Sequence, residues 1–364
     1  MNRLRREQTL SPLDLSDRSD KVRSKLSKSE AVVVMDPPNV QWMTGFTGSN
    51  GTVYIDHERF VLITDQRYQE QGPLEIMQTH STAELAISKN SIEELPKLAG
   101  RKTIKLDSNK VTWASAVRLG ETLEGDIVPS SPLNALRAQK DEREIERISL
   151  AAKIADQALK DTVPLFSQKV SEVEIAAHLD NKIREYGASE SAYKTIVASG
   201  VNSSKPHAQP SEKQIEQGDV LIVDVGAVVD GYRSDMTRTF VIGKPTDLQE
   251  NYLGVVLEAQ QEGVKILEPD MPCAEIDRRC RMKIEEAGWG PSFIHGTGHG
   301  VGLDIHELPA INSRSKDKLL TGMIVTIEPG IYFTDICGVR WEDLYEITET
   351  GARQLTLSSK SPQA

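Results

Sequence analysis

Two aspartates, Asp224 and Asp235, stand eleven positions apart in the stretch 218–240. An apolar run, the pair Asp230-Gly231 and a second run rich in threonine and aromatic residues predict a β-hairpin there. With a two-residue turn, Val229 pairs with Tyr232, Asp224 falls opposite Thr237, and Asp235 lies diagonally across from Asp224. Both carboxylates then share one face, about 7 Å apart at their Cβ atoms. A slip of one residue would send them to opposite faces, so the spacing is informative only with that turn. Two carboxylates on so apolar a hairpin repel each other unless a cation lies between them, and a pair of divalent metal ions is the natural resolution. The plainer reading leaves one aspartate at a sheet edge in water, as most aspartates are. Partners elsewhere in the chain decide between the two.

Four of the seven histidines, His207, His295, His299 and His306, fall within one hundred residues of each other. Glycines at 296, 298, 300 and 302 alternate with three of them, a pattern suited to close backbone approach around a site. It does not fit GxGxxG, so no dinucleotide fingerprint is present. His57, His80 and His178 sit in turn or helical contexts and are read as structural or solvated. Downstream, Glu328 interrupts the apolar run 325–333, and Glu342 interrupts 337–347 with Arg340 two residues before it on the same strand face. Acidic groups in apolar strands are costly unless paired or bound to metal. Singly, Glu328 could be an edge residue and Glu342 a partner of Arg340. Together Asp224, Asp235, His299, Glu328 and Glu342 offer one nitrogen and four carboxylates, a set suited to two hard or borderline ions such as manganese, cobalt or zinc.

The elements that must position these groups follow from the rest of the chain. Its 364 residues suit two unequal domains, and 38% hydrophobic residues suffice for a sizeable core. A net charge of −11 argues against a nucleic-acid partner. No run of 18 apolar residues occurs, so no membrane span is expected, and the basic start lacks the apolar segment of a secretory signal. Cys273, Cys280 and Cys337 form no CxxC pair, which fits a reducing cytoplasm and disfavours a thiolate zinc site. Residues 1 to about 30 read as a charged amphipathic helix, 31–35 as a strand, and 37–51 as a Gly/Asn/Ser-rich loop. That loop has GxxGxxG spacing but lacks the Lys-Ser/Thr of a P-loop. Strands follow at 52–55, 60–64 and 103–106, with helical spacing over 82–99 and 109–123. The prolines at 129 and 132 and the charged stretch after 137 place a boundary near residue 135, giving domains 1–135 and 136–364. Beyond it come a helix towards Lys160, a capping box at Ser171 to Glu174 opening a helix to about Tyr186, and helices near 247–267 and 273–287. Strands and helices alternate there without βαβ regularity, so the second domain reads as α+β.

The segments 196–207, 218–240, 295–307, 326–330 and 338–343, in this order, resemble the pita-bread metallopeptidases. Within them the chain is similar to the Xaa-Pro peptidases of the prolidase and aminopeptidase P type. Residues 43–51 and 64–68 resemble the smaller mixed α/β creatinase-type N-terminal domain of those enzymes, which methionine aminopeptidases lack. The resemblance implies that Asp224, Asp235, His299, Glu328 and Glu342 hold two divalent ions per chain, manganese first, with cobalt or zinc as alternatives. It implies that Asp235 and Glu342 bridge the ions, that His207, His306 and Glu328 act in catalysis, and that His295 and Arg340 support substrate or ligands. Trp341 departs from the smaller apolar residue usual at its position and puts the local pocket shape in question. The reaction implied is hydrolysis of short proline-containing peptides by a cytoplasmic homodimer with no nucleic-acid or membrane partner. A dipeptidase is favoured, and aminopeptidase P is the alternative. A metal-free peptide-binding module and a creatinase-like hydrolase are the rivals, and neither needs the five ligand-type residues.

Overall fold

The structure, a computed structural model, describes residues 10–361. Contacts divide these into two compact units, Ser11–Arg137 and the residues from Ala138 onward joined by Leu10.

In the first unit a six-stranded sheet runs in the order Glu84–Ile87, Phe60–Thr64, Gly51–Ile55, Glu30–Val34, Thr103–Leu106, Ile127–Pro129. The two pairings around Gly51–Ile55 are antiparallel and the outer three are parallel. Strand residues alternating between valine, isoleucine and leucine meet the helices Ser91–Ala99 and Trp113–Thr122 in one core that includes Val33, Tyr54, Ile63, Leu95 and Leu119.

Three local expectations are corrected in this unit. The helix expected over residues 1 to about 30 is, among the described residues, only Arg18–Arg23; Pro12 cannot occupy a helix interior. The part over residues 1–9 lies outside the described residues. The expected loop 37–51 begins with the helix Pro37–Thr44. Asp36 caps it by accepting from the Asn39 N–H at 3.2 Å, the two prolines fill its first positions where no N–H is missed, and Gly45 ends it at φ 77°. The helical spacing over 82–99 resolves into an edge strand, Glu84–Ile87, followed by a helix that starts only at Ser91, where the Asn90 side chain caps Ile92 N–H at 3.1 Å.

The second unit is α+β. A helix pair, Glu142–Thr162 and Glu172–Glu185, buries Ile154, Leu159, Leu179 and Ile183 against Val197, Leu221, Val223 and Phe240. A second pair, Asp247–Val264 and Cys273–Glu286, buries Val256, Ile276 and Ile284 against Val325, Ile327, Val339 and Ile347. The sheets between them are largely antiparallel: Thr237–Val241, Val220–Asp224 and Ile196–Ser199 in one, and Glu307–Ile311, Gly298–Gly300, Ile324–Ile327, Asp343–Thr348 and Gly351–Gln354 in the other. Both Ser171 and Asp141 form capping boxes, with Glu174 and Glu144 at the third helical position.

Candidate metal centre

The hairpin has the register that its turn dictates. Asp230 and Gly231 take φ of 49° and 87°, and Val229 pairs with Tyr232. Five residues further along each strand, Asp224 is directly opposite Thr237. The hairpin is pinched at Gly226, where a Cβ would lie 2.0 Å from the Ser234 carbonyl oxygen. Asp224 and Asp235 are both buried and face one cavity of about 460 Å³.

His299 reaches the same cavity from the short strand Gly298–Gly300. Its flanking glycines are required by crowding: a Cβ would come within 2.0 Å of Thr326 O at Gly298 and 2.1 Å of Leu308 O at Gly300. The His299 Nδ1 is 3.1 Å from the Gly300 carbonyl, an oxygen that can only accept, so Nδ1 carries a proton and Nε2 is the ring nitrogen directed into the cavity, able to ligate a cation once its own proton is lost. There Nε2 is 3.2 Å from Glu328 Oε1 and 3.6 Å from Asp235 Oδ2. Glu328 follows the end of strand Ile324–Ile327, and Glu342 lies in the gap between Cys337–Arg340 and Asp343–Thr348. The two glutamates therefore occupy breaks between strands, where a side chain can turn inwards, instead of the strand interiors the sequence suggests. One ligand atom each from Asp235, His299 and Glu342 lies within 4.8 Å of the others. All five ligand-type residues line the one cavity.

On the protein groups alone this cluster is strained. Burial and the neighbouring Asp224 push Asp235 up to about 8, and burial with Asp235 close by pushes Glu342 well above the carboxylate range. Burial opposes charge on Glu328 and His299 too, but their mutual attraction outweighs it, holding the carboxyl down and bringing the imidazole up to about 9. Four carboxylates crowded against one imidazole and one guanidinium lack positive charge. Divalent cations would supply it, and the oxygen-rich donor set with a correctly oriented imidazole fits them.

The other sequence-identified residues are placed around this cluster. His207 and His306 line the cavity, and the His306 ring stands 4.4 Å, centroid to centroid, from that of His299. His295 is fixed by Gly296 O at 2.7 Å and the Tyr332 hydroxyl at 3.0 Å, and burial lowers its basicity. Arg340 donates to Asp224 Oδ2 at 2.6 Å, to the Tyr332 hydroxyl at 2.7 Å and to Thr237 Oγ1 at 3.0 Å. Trp341 turns away from the cavity: it is 1% exposed, packs in the core beside helix Asp247–Val264 and donates to Leu253 O at 3.1 Å. Its bulk therefore forms no part of the cavity lining.

Two residues escaped the sequence reading. The Tyr193 hydroxyl contacts Asp224 and lies 2.5 Å from Asp235 Oδ1. The hydroxyl thus stands between the two aspartates and can donate to only one of them at a time. Thr237, fully buried, donates to Glu342 Oε2 at 2.7 Å while accepting from Arg340. The available signal was its register opposite Asp224; nothing local marked Tyr193.

Comparison with known proteins places this geometry. The model of Metallopeptidase family M24 matches residues 146–349, and that of the Creatinase/Prolidase N-terminal domain matches residues 18–139. An uncharacterized peptidase of Bacillus subtilis is 36% identical over 91% of this chain and 94% of its own length. The solved structure of an Xaa-Pro dipeptidase from Bacillus anthracis superposes with a TM-score of 0.91 at 35% identity, covering 96% of this chain and 99% of that one. That of an X-Pro aminopeptidase from Thermotoga maritima does so with a TM-score of 0.85 at 34% identity, covering 95% and 99%. With both of its units matched and nearly its whole length shared, the chain belongs to metallopeptidase family M24 and carries that family's creatinase/prolidase-type N-terminal domain.

Proposed function

We propose that this protein is a dinuclear metal-dependent exopeptidase that hydrolyses the bond to proline in Xaa-Pro dipeptides. The observation that carries the reading is the convergence of Asp224, Asp235, His299, Glu328 and Glu342, from four separate segments, on one cavity of small-ligand size. Asp235 and Glu342 would be shared by two ions, Asp224 would complete one, and His299 with Glu328 the other. Manganese is the first candidate, with cobalt and zinc behind it. Bound there, divalent ions make a water acidic enough to attack at neutral pH and polarise the scissile carbonyl.

The chain's own groups do the rest. Glu328, held ionised by His299, is the base that takes the proton of the attacking water. His207 and His306 stand at the cavity wall as donors to the oxygen that gains charge, a contribution of about 3 kcal/mol for one such donor. Ile196, Pro206 and Ile305 are apolar members of the lining, against which a pyrrolidine ring can rest. The ring fixes φ near −65° and its nitrogen carries no hydrogen, so a shaped wall favours this imide bond over an ordinary peptide bond.

The second reading is an aminopeptidase P acting on longer Xaa-Pro peptides, favoured by the likeness to the Thermotoga maritima X-Pro aminopeptidase. Assay of the manganese-loaded protein on Ala-Pro and Ala-Pro-Ala separates the two. The dipeptidase reading expects the higher kcat/KM for Ala-Pro. A tripeptide preference of about tenfold, roughly 1.4 kcal/mol in transition-state binding, would make it an aminopeptidase P, and cleavage of neither would refute both.

A further inference from the structure

His207 stands at the cavity wall with little of its own to aim it. It is exposed there, and among the described residues no hydrogen bond reaches its imidazole. The direction of the ring is therefore set by the course of its backbone. That backbone is irregular: the strand Ile196–Ser199 ends, a 3-10 turn follows over Gly200–Ser204, and 205–211 form neither helix nor strand. Two bonds fasten its middle, from Gly338 N–H to Ser203 Oγ at 2.9 Å and from Arg340 Nη1 to the Pro206 carbonyl at 3.3 Å. Both of its ends are fastened by one side chain, that of Glu172, the fully buried first residue of helix Glu172–Glu185. Glu172 Oε1 accepts from Ser199 N–H at 2.7 Å and Ser199 Oγ at 2.8 Å, and Oε2 accepts from Ser211 N–H at 2.9 Å and Ser211 Oγ at 2.6 Å. Asn202 Nδ2 lies 3.1 Å from each oxygen.

Capping of this helix is already done by Ser171 with Glu174, so the Glu172 side chain serves the loop and not its own helix. A buried carboxylate is costly unless donors surround it, and here they come from both ends of one loop. Each oxygen faces one backbone N–H, a group that cannot reverse its role. Glutamine has the same shape but a single acceptor oxygen, so whichever way its amide turned, an NH2 group would meet a backbone N–H. The position calls for a carboxylate. Glu172 is not among the residues that line the cavity, so whatever it does for the reaction passes through the loop. We infer that Glu172 is a positioning residue: by closing the loop 199–211 at both ends it holds His207 where the oxygen of the scissile carbonyl gains charge. This rests on the role proposed for His207 above.

The test is a double-mutant cycle with a readout that needs no turnover. Wild type, Glu172→Gln, His207→Ala and the double variant, all manganese-loaded, are assayed on Ala-Pro, and amide hydrogen exchange over 199–211 is followed by mass spectrometry in the chelator-treated proteins. Glu172→Gln should lose about tenfold or more in kcat with KM within about threefold, as for a misplaced catalytic group. Its loop should exchange faster than that of wild type while the strands Val220–Asp224 and Ile324–Ile327 keep their protection. In the His207→Ala background the same substitution should cost less than about twofold, because the group it positions is gone. An equal loss in both backgrounds, an unchanged kcat, or exchange that rises throughout the catalytic unit overturns the inference and leaves Xaa-Pro hydrolysis standing. So does a His207→Ala protein as active as wild type. A wild type that cleaves no Xaa-Pro bond overturns the proposed reaction, and the exchange then decides the tether by itself: faster in Glu172→Gln if the carboxylate closes the loop, unchanged if it does not. Should Glu172→Gln fail to fold, Ser211→Ala removes one donor from the carboxylate; a smaller kcat loss that disappears in the His207→Ala background supports the inference, and a kcat equal to that of wild type overturns it.

Discussion

Replacing Thr237 by valine tests how the centre is held. The two side chains have nearly the same shape, and Thr237 is fully buried, so the packing around it is preserved. What disappears is one hydroxyl that donates to Glu342 Oε2 at 2.7 Å and accepts from Arg340 Nε at 3.0 Å. Hydrogen bonds to charged groups are worth about 1.5 to 3 kcal/mol each. Arg340 retains Asp224, Tyr332 and Pro206, so its orientation survives. Among the described residues no second side chain hydrogen-bonds to the Glu342 carboxylate, and the loss falls on it. If Glu342 is a shared ligand, metal affinity should drop by about 10- to 100-fold, the usual cost of removing a group that orients a ligand. Manganese affinity is read by competition with a chelating dye, on wild type, Thr237→Val and Thr237→Ser, with the melting temperature of each chelator-treated protein measured alongside. Serine should restore binding because it keeps the hydroxyl. A Thr237→Val protein that melts lower but binds manganese within threefold of wild type would refute the ligand-positioning role and leave Thr237 a purely structural residue.

Two further outcomes follow from the same geometry. His207→Ala should keep its metal and lose about 10²-fold or more in kcat, because a donor to the developing oxyanion is removed without touching a ligand; a kcat within a few-fold of wild type would show that His207 only packs its loop. In the N-terminal unit, burial opposes ionisation of Asp56, but the Tyr54 hydroxyl at 2.6 Å, the Arg59 and Glu58 N–H groups and Lys102 outweigh it and bring the carboxyl from 3.8 down to about 2. Since the folded-state value is depressed, the ionised form favours the fold: this stabilisation, about 2 kcal/mol, is present above pH 4 and lost as pH falls towards 2. Urea denaturation of Asp56→Asn should therefore show a deficit at pH 7 that closes below pH 3, and a deficit independent of pH would contradict the assignment.

What could be read from the sequence alone was whatever short-range chemistry decides. The Asp230-Gly231 pair specifies a tight turn, and a tight turn counts out the register of the strands on either side, so the placement of Asp224 opposite Thr237 needed no knowledge of the rest of the chain. The capping box at Ser171 and Glu174 is local in the same way. Local signals also mislead when they support two outcomes. Two prolines beside an aspartate suit a loop or the first turn of a helix, and Pro37–Thr44 is the latter because Asp36 and Gly45 close both ends. The spacing over 82–99 suits a helix until an edge of the six-stranded sheet claims Glu84–Ile87. Only the tertiary structure could decide which atoms face each other across long stretches of chain. Thr237 and Glu342 are 105 residues apart, and Tyr193 lies 31 and 42 residues from the aspartates it touches. No periodicity or turn links such pairs, because their meeting depends on how the sheets and both helix pairs pack. The inward turn of Glu328 and Glu342 at strand breaks and the outward turn of Trp341 into the core have the same origin: side-chain direction at an irregular position is set by the space that packing leaves.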